Sequence, residues 1–416
     1  MRILILSDRI PPEHVGGAEQ IAWRFACGLH ALGHEVHAVA GTHGAAFEEV
    51  RDGIPTYHLT SRWPPRLHAY FTLGHQSVTR QLSALYDHVK PDVVGAYNIH
   101  GALTWHALTL ARRRGIATSI YFQDAMSVAY SKITHFARAA MCDIPDSAYI
   151  LPPLHNLKTV RTRYNPFRTA RILKILREDV DVRVSISAAL KTALTVNGVP
   201  DMRVIYPGVD PSEWQAAPEM VDALRESLGL RGKRVILLAG RLSPHKGSVQ
   251  LLKALDRLRL ALPDVRLLIL TRSTPEQQGL DRPEFAALRP HIITGGWLVG
   301  EQLAAAYHLA DVVVTPSTYL DPLIAVNQEA MLCRKPCITT CFGGPREVVM
   351  DGVTGLVVNP LDDAALADAL GQILSDPVLA GRMGEAGYQR VRQHFDALTQ
   401  ARLMAEAYAD AIQRRE

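Results

Sequence analysis

Two pairs of residues in the second half of the chain have the types and spacing to do chemistry. Gly240-Arg241-Leu-Ser-Pro-His-Lys246-Gly247 sets an arginine and a lysine on one glycine-flanked loop, directly after the apolar run 234–239. A fork-shaped guanidinium and a compact ammonium suit a diphosphate, which spreads its charge over several oxygens. Two solvated surface cations are the plain alternative. Further on, Asp321 and Glu329 follow the β-branched run Asp311-Val-Val-Val-Thr-Pro316, which reads as a buried strand ended by proline. Asp321 falls where the chain leaves the sheet, Pro322 suits a first helical position, and Glu329 falls inside that helix. Acids held this way face the crevice at the carboxyl edge of a parallel sheet, where doubly wound folds bind ligands. The plain reading of Glu329 is a helix acid favoured by the dipole. Near the start, Gly16 and Gly17 at the foot of a helix would let the backbone approach a phosphate, although a simple turn is the commoner reason for such a pair.

The elements that must position these residues are legible from periodicity. Strands are predicted at 2–7, 35–40, 92–94, 117–121 and 182–186, and again at 234–239, 265–270 and 291–294. Helical spacing separates them, as at 18–32, with Gly33 as its C-cap, 101–114 and 362–374, and a long helix is predicted at 388–413. Alternating strand and helix means an α/β fold with a parallel sheet covered on both faces. At 416 residues with 48% hydrophobic content, the chain is too long for one ordinary domain. The expected division is 1–206, 207–387 and a final helical segment 388–416, with Pro207-Gly-Val-Asp210 as the turn between domains. No internal repeat or low-complexity tract is present.

Composition and motif spacing narrow the ligand. The net charge of +4 fits anionic ligands or a membrane surface without demanding nucleic acid. A nicotinamide dinucleotide is disfavoured: the first glycine loop lacks the G-x-G-x-x-G spacing, and the second strand ends in Gly41-Thr-His rather than in an acid for the ribose. Five cysteines, and an N-terminus that runs straight into a strand, indicate a reducing cytoplasm. Cys333, Cys337 and Cys341 cross from a helix end into an apolar strand and read as buried hydrophobes rather than as a metal site. No apolar run approaches the roughly 20 residues needed to span a bilayer.

The acid-x7-Glu motif of Asp321 and Glu329, followed by Ala330, Met331 and then Gly343, Gly344 and Glu347, resembles the nucleotide-sugar half of retaining glycosyltransferases of family 4, whose fold is termed GT-B. The resemblance continues through an Asp351–Leu356 hairpin, the Arg-x4-Lys pair, the Gly-Gly-x-Glu of Gly16, Gly17 and Glu19, and the 207–210 linker. It implies two facing Rossmann-like domains, acceptor on the first and nucleotide-sugar on the second, with a C-terminal helix crossing back to the first. It also implies transfer of a sugar from a nucleoside diphosphate sugar, uridine ahead of guanosine, to a hydroxyl acceptor with retention and without a metal or cofactor. Polysaccharide, lipopolysaccharide or glycolipid synthesis would be the setting.

Carried over residue by residue, the resemblance makes Arg241, Lys246, Asp321 and Asp124 catalytic. Gly16, Gly17, Leu323, Ile324 and Glu329 join the two cations around the donor, Glu329 on the ribose hydroxyls. Asn98, His100, Gln123 and Asp124 would touch donor sugar or acceptor. Gly95 and Tyr97 stand at positions that are histidine in the family, and Gln123 stands where many relatives have a histidine, so it would orient a hydroxyl without moving a proton. Asp321 in place of Glu, Ile324 in place of Gly and Arg334 in place of a helix-ending Gly point to an altered donor-sugar pocket. A nucleotide-sugar epimerase of the same architecture and a catalytically silent nucleotide-sugar binding protein are the rival functions. From Lys158 to Arg177 seven Lys or Arg occur with no acid, with Asn165-Pro166 as a helix start. Arg168, Arg171 and Lys174 there read either as a solvated helix face or as a peripheral contact with an anionic leaflet or a lipid-linked acceptor. The run Arg62–Phe71 would extend that face.

Overall fold

The structure, a computed structural model, describes residues 1–12, 16–137, 142–240, 242–272 and 283–415. The chain divides into two compact units: Met1–Ile133 with Asp146–Gly208 and Ala397–Glu416, and Thr134–Pro145 with Val209–Asp396. The short segment 134–145 therefore belongs with the second unit, where Phe136 packs edge-on against Phe342 at 5.5 Å.

The first unit is built on strands β1 (Arg2–Ser7), β2 (Glu35–Thr42), β3 (Phe47–Arg51), β4 (Ile54–Thr60), β5 (Val93–Asn98), β6 (Ala117–Phe122), β7 (Val182–Ser185) and β8 (Arg203–Val204). They lie in the order β3-β4-β2-β1-β5-β6-β7-β8, parallel except for β3 against β4. Ile3, Leu4, Val93, Val94 and Ile120 are buried because helices cover both faces of such a sheet. The β3–β4 hairpin, which periodicity alone does not bring out, turns on Asp52-Gly53, both at positive φ, a short-hairpin signature.

The second unit carries β9 (Arg234–Ala239), β10 (Val265–Leu270), β11 (Ile292–Gly296), β12 (Val312–Thr315), β13 (Cys337–Thr340) and β14 (Gly355–Val358). Their order is β11-β10-β9-β12-β13-β14, all parallel. The chain winds outward from β9, returns to lay β12 beside it and then winds the other way. That places a topological switch point between the carboxyl ends of β9 and β12; the first unit has its own between β1 and β5. Gly355 opens a strand parallel to β13, so 351–356 is a tight turn into that strand rather than a hairpin.

Three other sequence expectations are corrected. The helix predicted at 101–114 spans only His106–Arg113, because the amides of 101–103 are taken by a side chain described below. The helix predicted at 388–413 is two helices, Pro377–His394 and Ala397–Gln413. Between them the Phe395 carbonyl accepts from the Val209 amide at 2.9 Å, a lateral bond that a continuous helix cannot make. The second of these helices belongs to the first unit, where Tyr408 hydrogen-bonds Tyr97 at 3.1 Å. Pro322 is not a first helical position, since the helix after β12 begins at Ala325. Among the described residues no helix is long and apolar enough to cross a membrane.

Candidate active site

At the switch point of the second unit, the loops leaving β9 and β12 are bound to each other. The Thr318 amide donates to the His245 carbonyl at 2.9 Å, and the Thr318 hydroxyl donates to the Pro244 carbonyl at 3.0 Å. Gly247, at φ +75°, lies so close that a Cβ there would collide with the Pro316 carbonyl oxygen. This docking sets Lys246 Nζ 2.8 Å from Asp321 Oδ2. The ammonium keeps 36% of its side-chain exposure while the carboxylate keeps 4%. The same Asp321 oxygen accepts from the Ser317 hydroxyl at 2.8 Å, and the Tyr319 ring lies 5.4 Å from Lys246 Nζ. A partly open cation is thus oriented by a buried acid and an aromatic face. Arg241, the other expected cation, lies outside the described residues.

The Asp321 backbone is fixed from its other side. The Gly344 amide donates to its carbonyl at 2.9 Å, and Gly343, at φ +93°, presses on the same group where any side chain would clash. The Gly343-Gly344 pair therefore holds the acid in place. Helix Ala325–Leu332 follows, and within it Glu329 Oε2 accepts from the Tyr307 hydroxyl at 2.6 Å. Burial first, then the Glu329 charge, pushes the Tyr307 phenol well above its ordinary range, so it remains a donor. Leu323 and Ile324 are buried before this helix, and Ile324 takes an extended conformation, φ −105°, that needs no glycine. Arg334 occupies the left-handed position at the helix end with φ +54°, its guanidinium 3.7 Å from the Tyr388 ring centroid and 2.8 Å from Glu385. The stacking and ion pair offset what glycine would avoid. Cys333, Cys337 and Cys341 are buried, and burial pushes each thiol up, Cys333 to about 12. Among the described residues no three His, Cys, Asp or Glu gather as metal ligands.

In the first unit, Gly16 precedes helix Gly17–Ala31 and provides no side-chain cap. Asn98 ends β5, and its carbonyl accepts from the Asp8 amide at 2.5 Å. His100 Nε2 lies 3.3 Å from Asp124 Oδ1, and the His100 ring packs on Trp105 at 5.3 Å. Burial works to raise the Asp124 carboxyl, but His100, the Met126 amide and Arg168 outweigh it and hold the group below its ordinary range. Neither side-chain polar atom of the neighbouring Gln123 has a hydrogen-bond partner among the described residues, and both are buried. Gly95 and Tyr97 have structural work instead: Tyr408 lies against the Gly95 Cα and binds the Tyr97 hydroxyl. A Cβ at position 95 would run into Tyr408, and the Tyr97 side chain meets the same helix, so neither position is open to a ligand from that side.

Comparison with known proteins decides what this arrangement belongs to. The family profile described as Glycosyltransferase Family 4 matches residues 15–213, and that described as Glycosyl transferases group 1 matches residues 220–390. The chain belongs to glycosyltransferase family 4. This glycosyltransferase is 26% identical to glycogen synthase of Mycobacterium tuberculosis over 99% of its own length and 95% of that protein's. It is 29% identical to the alpha-maltose-1-phosphate synthase of the same species, covering 95% of each chain. A GDP-mannose-dependent alpha-(1-6)-phosphatidylinositol monomannoside mannosyltransferase of Mycolicibacterium smegmatis is 30% identical over 58% of this chain and 64% of that one. Among solved structures, sucrose-phosphate synthase from Thermosynechococcus elongatus superposes with a TM-score of 0.74 at 21% identity over 99% of both chains. Anabaena HepE, solved with UDP and glucose, gives 0.73 at 21% identity over 98% of this chain and 99% of that one. The two parallel-sheet α/β units are those of the GT-B fold.

Several residues around the glycosyltransferase's switch points escape sequence reading. Ser317, Tyr319 and Tyr307 carry no motif signal, since only the folded loops bring them to Lys246, Asp321 and Glu329. Asp8 has a weak signal, as an acid directly after the first strand. Its carboxylate accepts from the amides of Gly101, Ala102 and Leu103, the last two at 2.6 and 2.8 Å. Burial pushes that carboxyl up against the pull of these three donors. Arg168 corrects an expectation: it is 3% exposed, so Arg168, Arg171 and Lys174 do not share one solvated face. The helix starts at Arg168 itself, past Pro166, and its side chain folds inward to reach the Met126 carbonyl at 2.6 Å.

Proposed function

We propose that this glycosyltransferase moves a sugar from a uridine diphosphate sugar to a hydroxyl acceptor with retention of configuration and without a cofactor, the second unit binding the donor and the first the acceptor. The observation that carries the reading is Lys246 held on the buried Asp321 where two switch-point loops lock together. In transfer, the bond between the anomeric carbon and the β-phosphate oxygen breaks and negative charge grows on that oxygen. Lys246, with Arg241, neutralises this charge, a preorganised stabilisation of the kind that dominates such catalysis. Asp321 is a positioning residue that aims the ammonium. The acceptor oxygen bonds to the carbon on the face the phosphate leaves, and its proton passes to the leaving phosphate. Glu329, with one oxygen fixed by Tyr307, holds the ribose hydroxyls. Uridine is favoured by HepE, solved with UDP and with UDP-glucose; the GDP-mannose-dependent relative makes guanosine the competing base.

The exposed Ile150, Leu154, Leu157 and Phe167, interspersed with Lys158, Arg161 and Arg163, support peripheral contact with an anionic membrane surface.

Incubating the full chain with UDP-, GDP- and ADP-sugars in EDTA, and following nucleoside diphosphate release with and without acceptors, tests the reading. Acceptor-stimulated release of UDP is expected. Interconversion of the donor sugar without release would identify an epimerase, and binding with neither outcome a silent binding protein.

A further inference from the structure

The switch point of the first unit opens on a cavity of about 620 Å³ whose lining includes Asp8, Arg9, Trp63, His68, Arg163 and Arg168. Its charge is unbalanced. Asp8 is the one carboxylate among the described residues of the lining, and three backbone amides already occupy it. Against it stand three arginines. Arg168 is the deepest: Nη2 donates to the Met126 carbonyl, and the guanidinium lies 4.7 Å from the Tyr130 ring centroid. Among the described residues its Nη1 is buried with no hydrogen-bond partner, and Asp124, whose charge acts on it, is already engaged by His100 and the Met126 amide. Arginine does not escape such burial by losing its proton, so a guanidinium donor stands ready beside the cavity. His68 adds no charge of its own near pH 7, since burial, then Arg168 and His100, hold it below its ordinary value. Trp63, fixed by its Nε1–H bond to His68 Nδ1 at 3.2 Å, adds an aromatic surface of the kind a sugar or polyol ring packs on.

We infer that this cavity binds a phosphate ester: the hydroxyl acceptor is a phosphorylated sugar or polyol whose phosphate sits on Arg168 and Arg163. The inference rests on the reading that the first unit holds the acceptor. Arginine's fork matches two phosphate oxygens at once and meets their charge, whereas a sugar hydroxyl accepts a single hydrogen bond there and brings no charge. The same chemistry is offered by a soluble sugar phosphate and by the headgroup of a phosphorylated lipid.

Calorimetric titration of the full chain without nucleotide tests it. The probes are glucose 6-phosphate, glycerol 3-phosphate and inositol 1-phosphate, each against its unphosphorylated parent, together with vesicles of phosphatidylinositol against phosphatidylcholine. At least one phosphate probe should bind roughly 10- to 100-fold more tightly than its parent, in line with charge-assisted hydrogen bonding, and the difference should shrink with salt. Arg168→Lys should abolish most of that preference. The exposed Arg163→Gln, which puts no core packing at risk, should abolish part of it. UDP titration should be unchanged in both variants. Binding to phosphatidylinositol vesicles alone, lost in Arg168→Lys, would assign the phosphate to a lipid, since Arg168 is buried and not on the exposed membrane-facing stretch; vesicle binding unchanged in that variant would overturn the proposal. Equal binding of phosphate and parent, no binding of any phosphate probe while UDP binds, or an undiminished preference in both variants would overturn the proposal. Phosphate binding without UDP binding would leave it standing and defeat the donor assignment instead.

Discussion

The two switch points use the same topology and opposite charge arrangements. In the second unit the acid is buried and the cation reaches outward: Asp321 and Ser317 aim Lys246, which is satisfied before any ligand arrives. In the first unit the acid is consumed by backbone amides and the buried cation, Arg168, keeps a donor with no partner among the described residues. A pre-paired lysine can strengthen its grip as charge develops on a leaving group, whereas a buried arginine with a spare donor gains most from a ligand already charged when it binds. The difference separates a group suited to the transition state from one suited to ground-state recognition.

Breaking the paired side should have the largest effect. Lys246→Ala is expected to lower kcat/KM by about 10²-fold or more, as for other groups that stabilise developing charge. Initial rates with a UDP-sugar check this, and a rate equal to that of the parent protein would remove Lys246 from the chemistry. Glu329→Gln comes next: hydrogen bonds to a charged group contribute about 1.5 to 3 kcal/mol, so UDP should bind correspondingly more weakly in calorimetry. Asp321→Asn keeps the volume and the Ser317 contact but loses the charge, and about a 10-fold fall in kcat is expected from a misaimed lysine. If Asp321 acts through Lys246, the double variant should be no worse than Lys246→Ala alone. Fully additive losses would give the acid a separate role.

The smallest expected effect concerns folding. Burial, more than the nearby cations, depresses His68 and His106 in the first unit and His308 in the second. Their folded-state values lie below the unfolded value near 6.5, so the unfolded chain binds protons more readily. The stability they contribute is complete above about pH 6.5 and declines as pH falls through the folded values. Thermal melts between pH 7.5 and 5.5 should show a modest drop in Tm on the acid side, flattened in His308→Gln. A profile that rises on acidification would contradict the sign.

Much of the architecture was legible because it rests on neighbours in sequence. The runs at 2–7, 234–239 and 265–270 are apolar enough to be strands wherever they sit, and the structure has strands with those bounds. Motif spacing likewise marked Lys246, Asp321 and Glu329. The extra bond at Phe395 that splits the last helix was not legible, since its partner Val209 lies far away in sequence. Nor was the short start of the helix after β5, where Asp8 claims amides from a loop 93 to 95 residues distant.

The sequence by itself determined the alternation of strand and helix, the family, and which residue types stand at the strand ends. Each follows from local periodicity or from spacing within one loop. Tertiary structure alone decided that Lys246 meets Asp321 across 75 residues, that glycines 247 and 343 exist to let two loops touch, and that Arg168 is buried while Arg171 is not. A charge's role depends on what surrounds it, on desolvation and on the nearest opposite charge, and those are set by segments that only folding brings together.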